Sequence, residues 1–109
     1  MLDDIASRPI GIRLAPSSAL QPGESARVDV DGKVIALFNV DGHFYAIDDA
    51  CLHMAGPLSE GMVLEGTVTC PWHGWSYELE TGKRVGQTGS PLRKYRVDVV
   101  EHWITFYED

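Results

Sequence analysis

Cys51-Leu52-His53 … Cys70-Pro71-Trp72-His73 is the stretch whose reading decides the rest; as a pattern it is C-x-H-x16-C-x2-H. It takes both cysteines of the chain and two of its four histidines. Thiols and imidazoles delivered as matched pairs from two separate loops form a metal-ligand set. Two metals meet that inventory. A tetrahedral zinc takes two thiolates and two imidazoles. A [2Fe–2S] cluster can take the same donors, with the cysteines on one iron and the histidines on the other. Three features favour the cluster. Each loop offers one Cys and one His, so both loops can grip both irons. Gly56-Pro57 in the first loop, and Pro71 and Gly74 in the second, are small or ring-locked residues that let a tight backbone approach sulfide. No amphipathic helix follows, as a ββα zinc finger requires.

Outward from the two loops the chain reads as strand and turn. Asp31-Gly32 and Asp41-Gly42, each flanked by apolar runs, are hairpin turns. They join strands expected over 26–30, 34–40 and 43–47. Ile10, Ile12 and Leu14 alternate with polar or small residues, which is strand period. One helical turn fits 17–20. A short hairpin over 62–64 and 67–69, turning at Glu65-Gly66, leads into the second loop and fixes its distance from the first. Strands are expected again over 75–79, 92–100 and 103–107, with Thr81-Gly82 as a turn. Nine or ten short strands without a substantial helix make an all-β antiparallel sandwich or barrel. At 109 residues a single domain over 1–109 is expected. The stretch of about 48–80 forms a small metal-binding insert in it.

Cys51-Leu52-His53-Met54-Ala55-Gly56-Pro57-Leu58 and Cys70-Pro71-Trp72-His73-Gly74-Trp75-Ser76-Tyr77 resemble the two cluster loops of the Rieske [2Fe–2S] family. The resemblance implies one cluster, with Cys51 and Cys70 on the inner iron and His53 and His73 on the outer. It also implies a surrounding shell of Trp72, Gly74, Trp75 and Tyr77, with Pro91, in Gly89-Ser90-Pro91, on a loop that covers the cluster. An oxidised [2Fe–2S] core carries two positive charges, which two thiolates cancel. A neutral site accepts an electron more readily than the anion that four thiolates would leave, hence the family's range of roughly −150 to +300 mV. High-potential members have a serine after His-Gly, where this chain has Trp75. Tyr77 stands at the second hydroxyl donor's position. One donor kept and one lost implies a potential nearer about −150 mV.

Membrane-anchored members usually carry an extra cysteine pair bridging the loops. Those positions are Gly56 and Trp72 here, so no loop disulfide forms and a reducing cytoplasm is the expected location. No signal peptide or membrane span is legible. Oxygenase subunits of the family need a second iron domain with two further histidines and a carboxylate; only His43 and His102 remain, which excludes that activity. A net charge of −7 argues against nucleic acid or an anionic membrane as partner. The implied role is an electron-transfer component rather than an enzyme by itself. It would carry single electrons from a flavin-dependent reductase to a terminal oxygenase or other oxidoreductase. Two alternatives are the small subunit of an NAD(P)H-dependent assimilatory nitrite reductase and a zinc-stabilised β-domain for protein binding.

Overall fold

Alternation in the sequence becomes two antiparallel sheets in the computed structural model, which describes residues 11–52, 55–72, 74–87 and 89–107. The strands are β1 (Gly11–Pro16), β2 (Ser25–Val30), β3 (Lys33–Val40), β4 (His43–Asp48), β5 (Met62–Leu64), β6 (Thr67–Thr69), β7 (Ser76–Glu78), β8 (Lys94–Val100) and β9 (Trp103–Tyr107). A six-stranded sheet runs β1-β9-β8-β4-β3-β2, and a three-stranded sheet runs β5-β6-β7. The six-stranded sheet curls into a nearly closed barrel. Its narrowest join is between β4 and β8, where only Ala46↔Tyr95 and Ile47↔Lys94 pair. The expected all-β antiparallel barrel is what forms. β5, β6 and β9 have the expected bounds, and the other strands differ from the sequence reading by one or two residues at an end. Ile10, expected in the first strand, lies outside the described residues.

Tight turns set the register. Asp31-Gly32, Asp41-Gly42, Glu65-Gly66 and Glu101-His102 each place two consecutive residues at positive φ. That is the type I′ geometry whose twist matches paired strands. The buried Asn39 side chain braces the second of them, donating to the Leu20 carbonyl at 2.8 Å and accepting from the Gly42 amide at 2.8 Å.

β3 explains how the part of the chain that carries the two cysteines is held. Its run Ile35-Ala36-Leu37-Phe38 is buried on both faces. Ile35 and Leu37 enter one core with Leu20, Val30, Ala46, Tyr95, Ile104 and Phe106. Ala36 and Phe38 enter a second core with Ile47, Leu58, Val68, Tyr77, Leu79, Leu92 and both cysteines. The period of two along the strand thus divides barrel interior from site support. The helical turn expected over 17–20 is a 3-10 turn at Ser17–Ala19. A second such turn, Leu58–Glu60, was not legible in the sequence and buries Leu58 beneath the first loop.

Candidate metal centre

Each cysteine sits at the start of a turn closed in the same way. In the first loop the Cys51 amide donates to the Gly56 carbonyl at 3.0 Å, and the Ala55 amide donates to the Cys51 carbonyl at 2.8 Å. In the second the Cys70 amide donates to the Trp75 carbonyl at 2.7 Å, and the Gly74 amide to the Cys70 carbonyl at 3.1 Å. The fifth residue of each turn has positive φ, 57° at Ala55 and 76° at Gly74. The two cysteine turns, whose Cys–His spacings differ, therefore share one pattern of closing backbone hydrogen bonds. Both cysteines are free thiols, buried together in the core that β3 supports. His53 and His73, with Met54, lie outside the described residues. Among the described residues no cluster of three or more His, Cys, Asp or Glu side chains forms a rival metal site.

Gly56 is where the loops touch. A Cβ added there would stand 2.7 Å from Cys70 Sγ and 3.1 Å from the Trp72 ring. Only a residue without a side chain lets the first loop close over the second cysteine. Gly56 and Trp72, remote in sequence, are neighbours in space. Trp72 packs with one side against Gly56 and remains 56% exposed, and Leu52 beside Cys51 is 55% exposed. Together they edge an open groove of about 770 Å³ that runs past Cys51, Pro57 and Leu92.

Tyr77, on β7, is fully buried. Its oxygen accepts from the Leu52 amide at 3.1 Å and lies 3.3 Å from Cys51 Sγ. With the acceptor side engaged by the amide, the hydroxyl proton is free to point at sulfur. Burial, reinforced by the bond to Cys51, pushes the phenol up to about 12, so it remains a neutral donor. Trp75 is half-buried against the same core, with the Arg84 guanidinium 3.2 Å from its ring centroid. Pro91 is exposed, whereas its neighbour Leu92 is buried in the core that holds both cysteines.

Sequence reading missed Asp49. Its carboxylate is buried and accepts from the Ser59 amide at 2.7 Å, while its carbonyl accepts from the Leu58 amide at 2.7 Å. Arg27 of β2 reaches the same carboxylate at 3.7 Å. Asp49 thus clips the entry of the first loop to its exit. The Asp48-Asp49 pair before Cys51 was the available signal, but acidic pairs usually mark a solvated loop.

The donor set fits a cluster bound by sulfur at one end. The thiols are buried and unbridged, a glycine cradle lies against one, and a neutral hydroxyl is aimed at the other. Residues 11–104 match the Rieske [2Fe-2S] domain, so the chain belongs to the Rieske [2Fe–2S] family, and its cofactor is a [2Fe–2S] cluster rather than zinc. Among curated relatives, the 3-phenylpropionate/cinnamic acid dioxygenase ferredoxin subunit of Escherichia coli K12 is 43% identical over 90 residues, covering 81% of this chain and 84% of that protein. A chain from the complex of reduced oxygenase and oxidized ferredoxin in carbazole 1,9a-dioxygenase superposes with a TM-score of 0.82 at 30% identity, covering 92% of this chain and 94% of that one. The carbazole 1,9a-dioxygenase ferredoxin of Nocardioides aromaticivorans IC177 gives 0.81 at 28% identity, covering 88% and 95%. A protein described as the small subunit of an NADPH nitrite reductase gives 0.79 at 24% identity over 89% and 97%, a likeness of fold alone. Among the described residues, no helix is long and apolar enough to cross a membrane.

Proposed function

We propose that this chain is the ferredoxin of a ring-hydroxylating dioxygenase system. It takes single electrons from a flavin-dependent reductase and passes them to a terminal oxygenase in the cytoplasm. The observation that carries the reading is the 43% identity to a dioxygenase ferredoxin subunit across most of both chains. The nitrite reductase alternative has only a shared fold behind it.

In this reading the whole chain is one domain, with the segment 48–80 as its cluster-binding part. Cys51 and Cys70 hold one iron, and His53 and His73 hold the other. The bound cluster supplies a one-electron couple. The chain's own residues tune and present it. Tyr77 donates to the Cys51 thiolate and stabilises the reduced, more negative state. Gly56 lets the loops close. Leu52 and Trp72 give an apolar edge from which a docked protein excludes water. The net charge of −7 speeds encounter with a basic partner face at low salt.

The test is reconstitution. The purified protein, mixed with a flavoprotein reductase and a terminal oxygenase of such a system, should be reduced rapidly and should restore oxygenase turnover. Failure to accept electrons from a free reductase, with co-purification of a sirohaem subunit, would transfer the protein to the nitrite reductase alternative.

A further inference from the structure

We infer that Arg84 sets the electron affinity of the metal centre: its guanidinium, fixed on the Trp75 ring beside Tyr77, supplies a positive charge that favours the reduced state. The inference rests on the ligand assignment proposed above.

Placement begins with the backbone. The Glu78 amide donates to the Lys83 carbonyl at 2.8 Å, and the Val85 amide to the Ser76 carbonyl at 2.9 Å. Residues 83–85 therefore lie antiparallel alongside β7 through an isolated bridge, with Arg84 paired directly to Tyr77. Paired residues on neighbouring strands point to the same face, and so do residues two apart on one strand. Arg84, Tyr77 and Trp75 accordingly share the face that carries the Tyr77 hydroxyl to Cys51 Sγ. The turn before Arg84 is tightly located. The Gly82 amide bonds the Glu78 carbonyl at 2.7 Å, and a Cβ at Gly82 would strike the Leu92 carbonyl.

The side chain is as well placed as its backbone. Arg84 is half-buried, and its separation of 3.2 Å from the Trp75 centroid is shorter than that of Arg13 over Trp103, Arg93 over Tyr95 or Arg96 over Tyr107. Among the described residues no carboxylate pairs with it. No contacting carboxylate among the described residues therefore neutralises its charge. When one electron is added to the centre, the site gains one negative charge with no bond made or broken. A fixed cation on that face lowers the energy of the charged product more than that of the reactant. In a chain of net charge −7, that contribution opposes the general field.

The experiment compares the cluster-loaded protein with Arg84→Gln, which removes the charge, and Arg84→Lys, which keeps it without the planar stack. Midpoint potentials are read by film voltammetry at low and high salt, with EPR spectra of the dithionite-reduced proteins. Arg84→Gln should lower electron affinity roughly threefold, about 28 mV for a one-electron couple. Arg84→Lys should keep most of the wild-type value, and the gap between wild type and Arg84→Gln should narrow at high salt. An unchanged potential in Arg84→Gln with an unaltered EPR spectrum overturns the inference. So does an equal drop in both variants, which assigns the effect to stacking. A wild-type protein without acid-labile sulfide or a Rieske EPR signal instead refutes the ligand assignment, and the inference falls with it.

Discussion

Tyr77 Oη stands 3.3 Å from Cys51 Sγ and 3.1 Å from the Leu52 amide nitrogen, so one phenol serves both the first thiol and the backbone leaving it. Tyr77→Phe keeps the ring and removes only this oxygen. The reduction potential should become more negative, because a donor to a ligand sulfur stabilises the reduced centre. Stability should fall by about 1–2 kcal/mol, because the Leu52 amide also loses its acceptor. Film voltammetry and a denaturant titration read the two effects separately. A potential equal to wild type would show that the phenol acts on the backbone alone.

Gly56→Ala adds a methyl group where Cys70 Sγ and the Trp72 ring already stand. The first loop must then lift from the second, at a cost of about 1–3 kcal/mol for overpacking. Iron and acid-labile sulfide per chain should both fall, with circular dichroism of the barrel unchanged. Full cluster content in this variant would mean that the loops have slack at this contact.

Asp49→Ala unfastens the clip between the ends of the first loop. The Ser59 amide loses its acceptor and Arg27 its counterion. A loss of about 1–3 kcal/mol is expected, chiefly from the orphaned amide, since Arg27 is largely exposed. Asp49→Asn keeps an acceptor and should recover most of it. Urea midpoints of the two variants decide; equal losses would assign the effect to charge.

Tyr95 gives a prediction at alkaline pH. Its hydroxyl donates to Asp48 Oδ1 at 2.6 Å. Burial first, and then the bond to Asp48, push the phenol up to about 12 from an ordinary 10.0, against the opposing Arg93 charge. A pKa raised on folding stabilises fully below the unfolded value and loses that contribution as pH climbs through the folded one. Wild type should therefore weaken from about pH 10 toward about pH 12. Tyr95→Phe should be less stable by about 1 kcal/mol below pH 10, with the difference shrinking above it. Tyr77 shifts in the same direction, so a residual decline persists in the variant. Thermal melts across that range read the effect; a constant gap would contradict it.

Much of the fold was legible because its signals are local. Asp31-Gly32, Asp41-Gly42 and Glu65-Gly66 announce type I′ turns by residue type, and β5, β6 and β9 have the bounds their alternation implied. The unbroken apolar run of β3 could not say from the sequence that its two faces serve different cores. The Leu58–Glu60 turn has no capping residue to betray it. At the metal centre the thiols and Tyr77 were named from spacing and resemblance. Asp49, Leu92 and Arg84 were not, because each acts through a partner distant in sequence or across strands. Pro91 was named for its loop, but the buried residue there is Leu92.

The shared hydrogen-bond design of the cysteine turns has a consequence for biogenesis. Backbone amides and carbonyls close both turns; the β6–β7 hairpin carries the second, and the Ala50–Pro57 bridge joins the ends of the first. Closure of each cysteine turn thus draws on the polypeptide's own amides and carbonyls, which leaves the two thiols, and not the turn backbone, for the cofactor's cellular donor to engage.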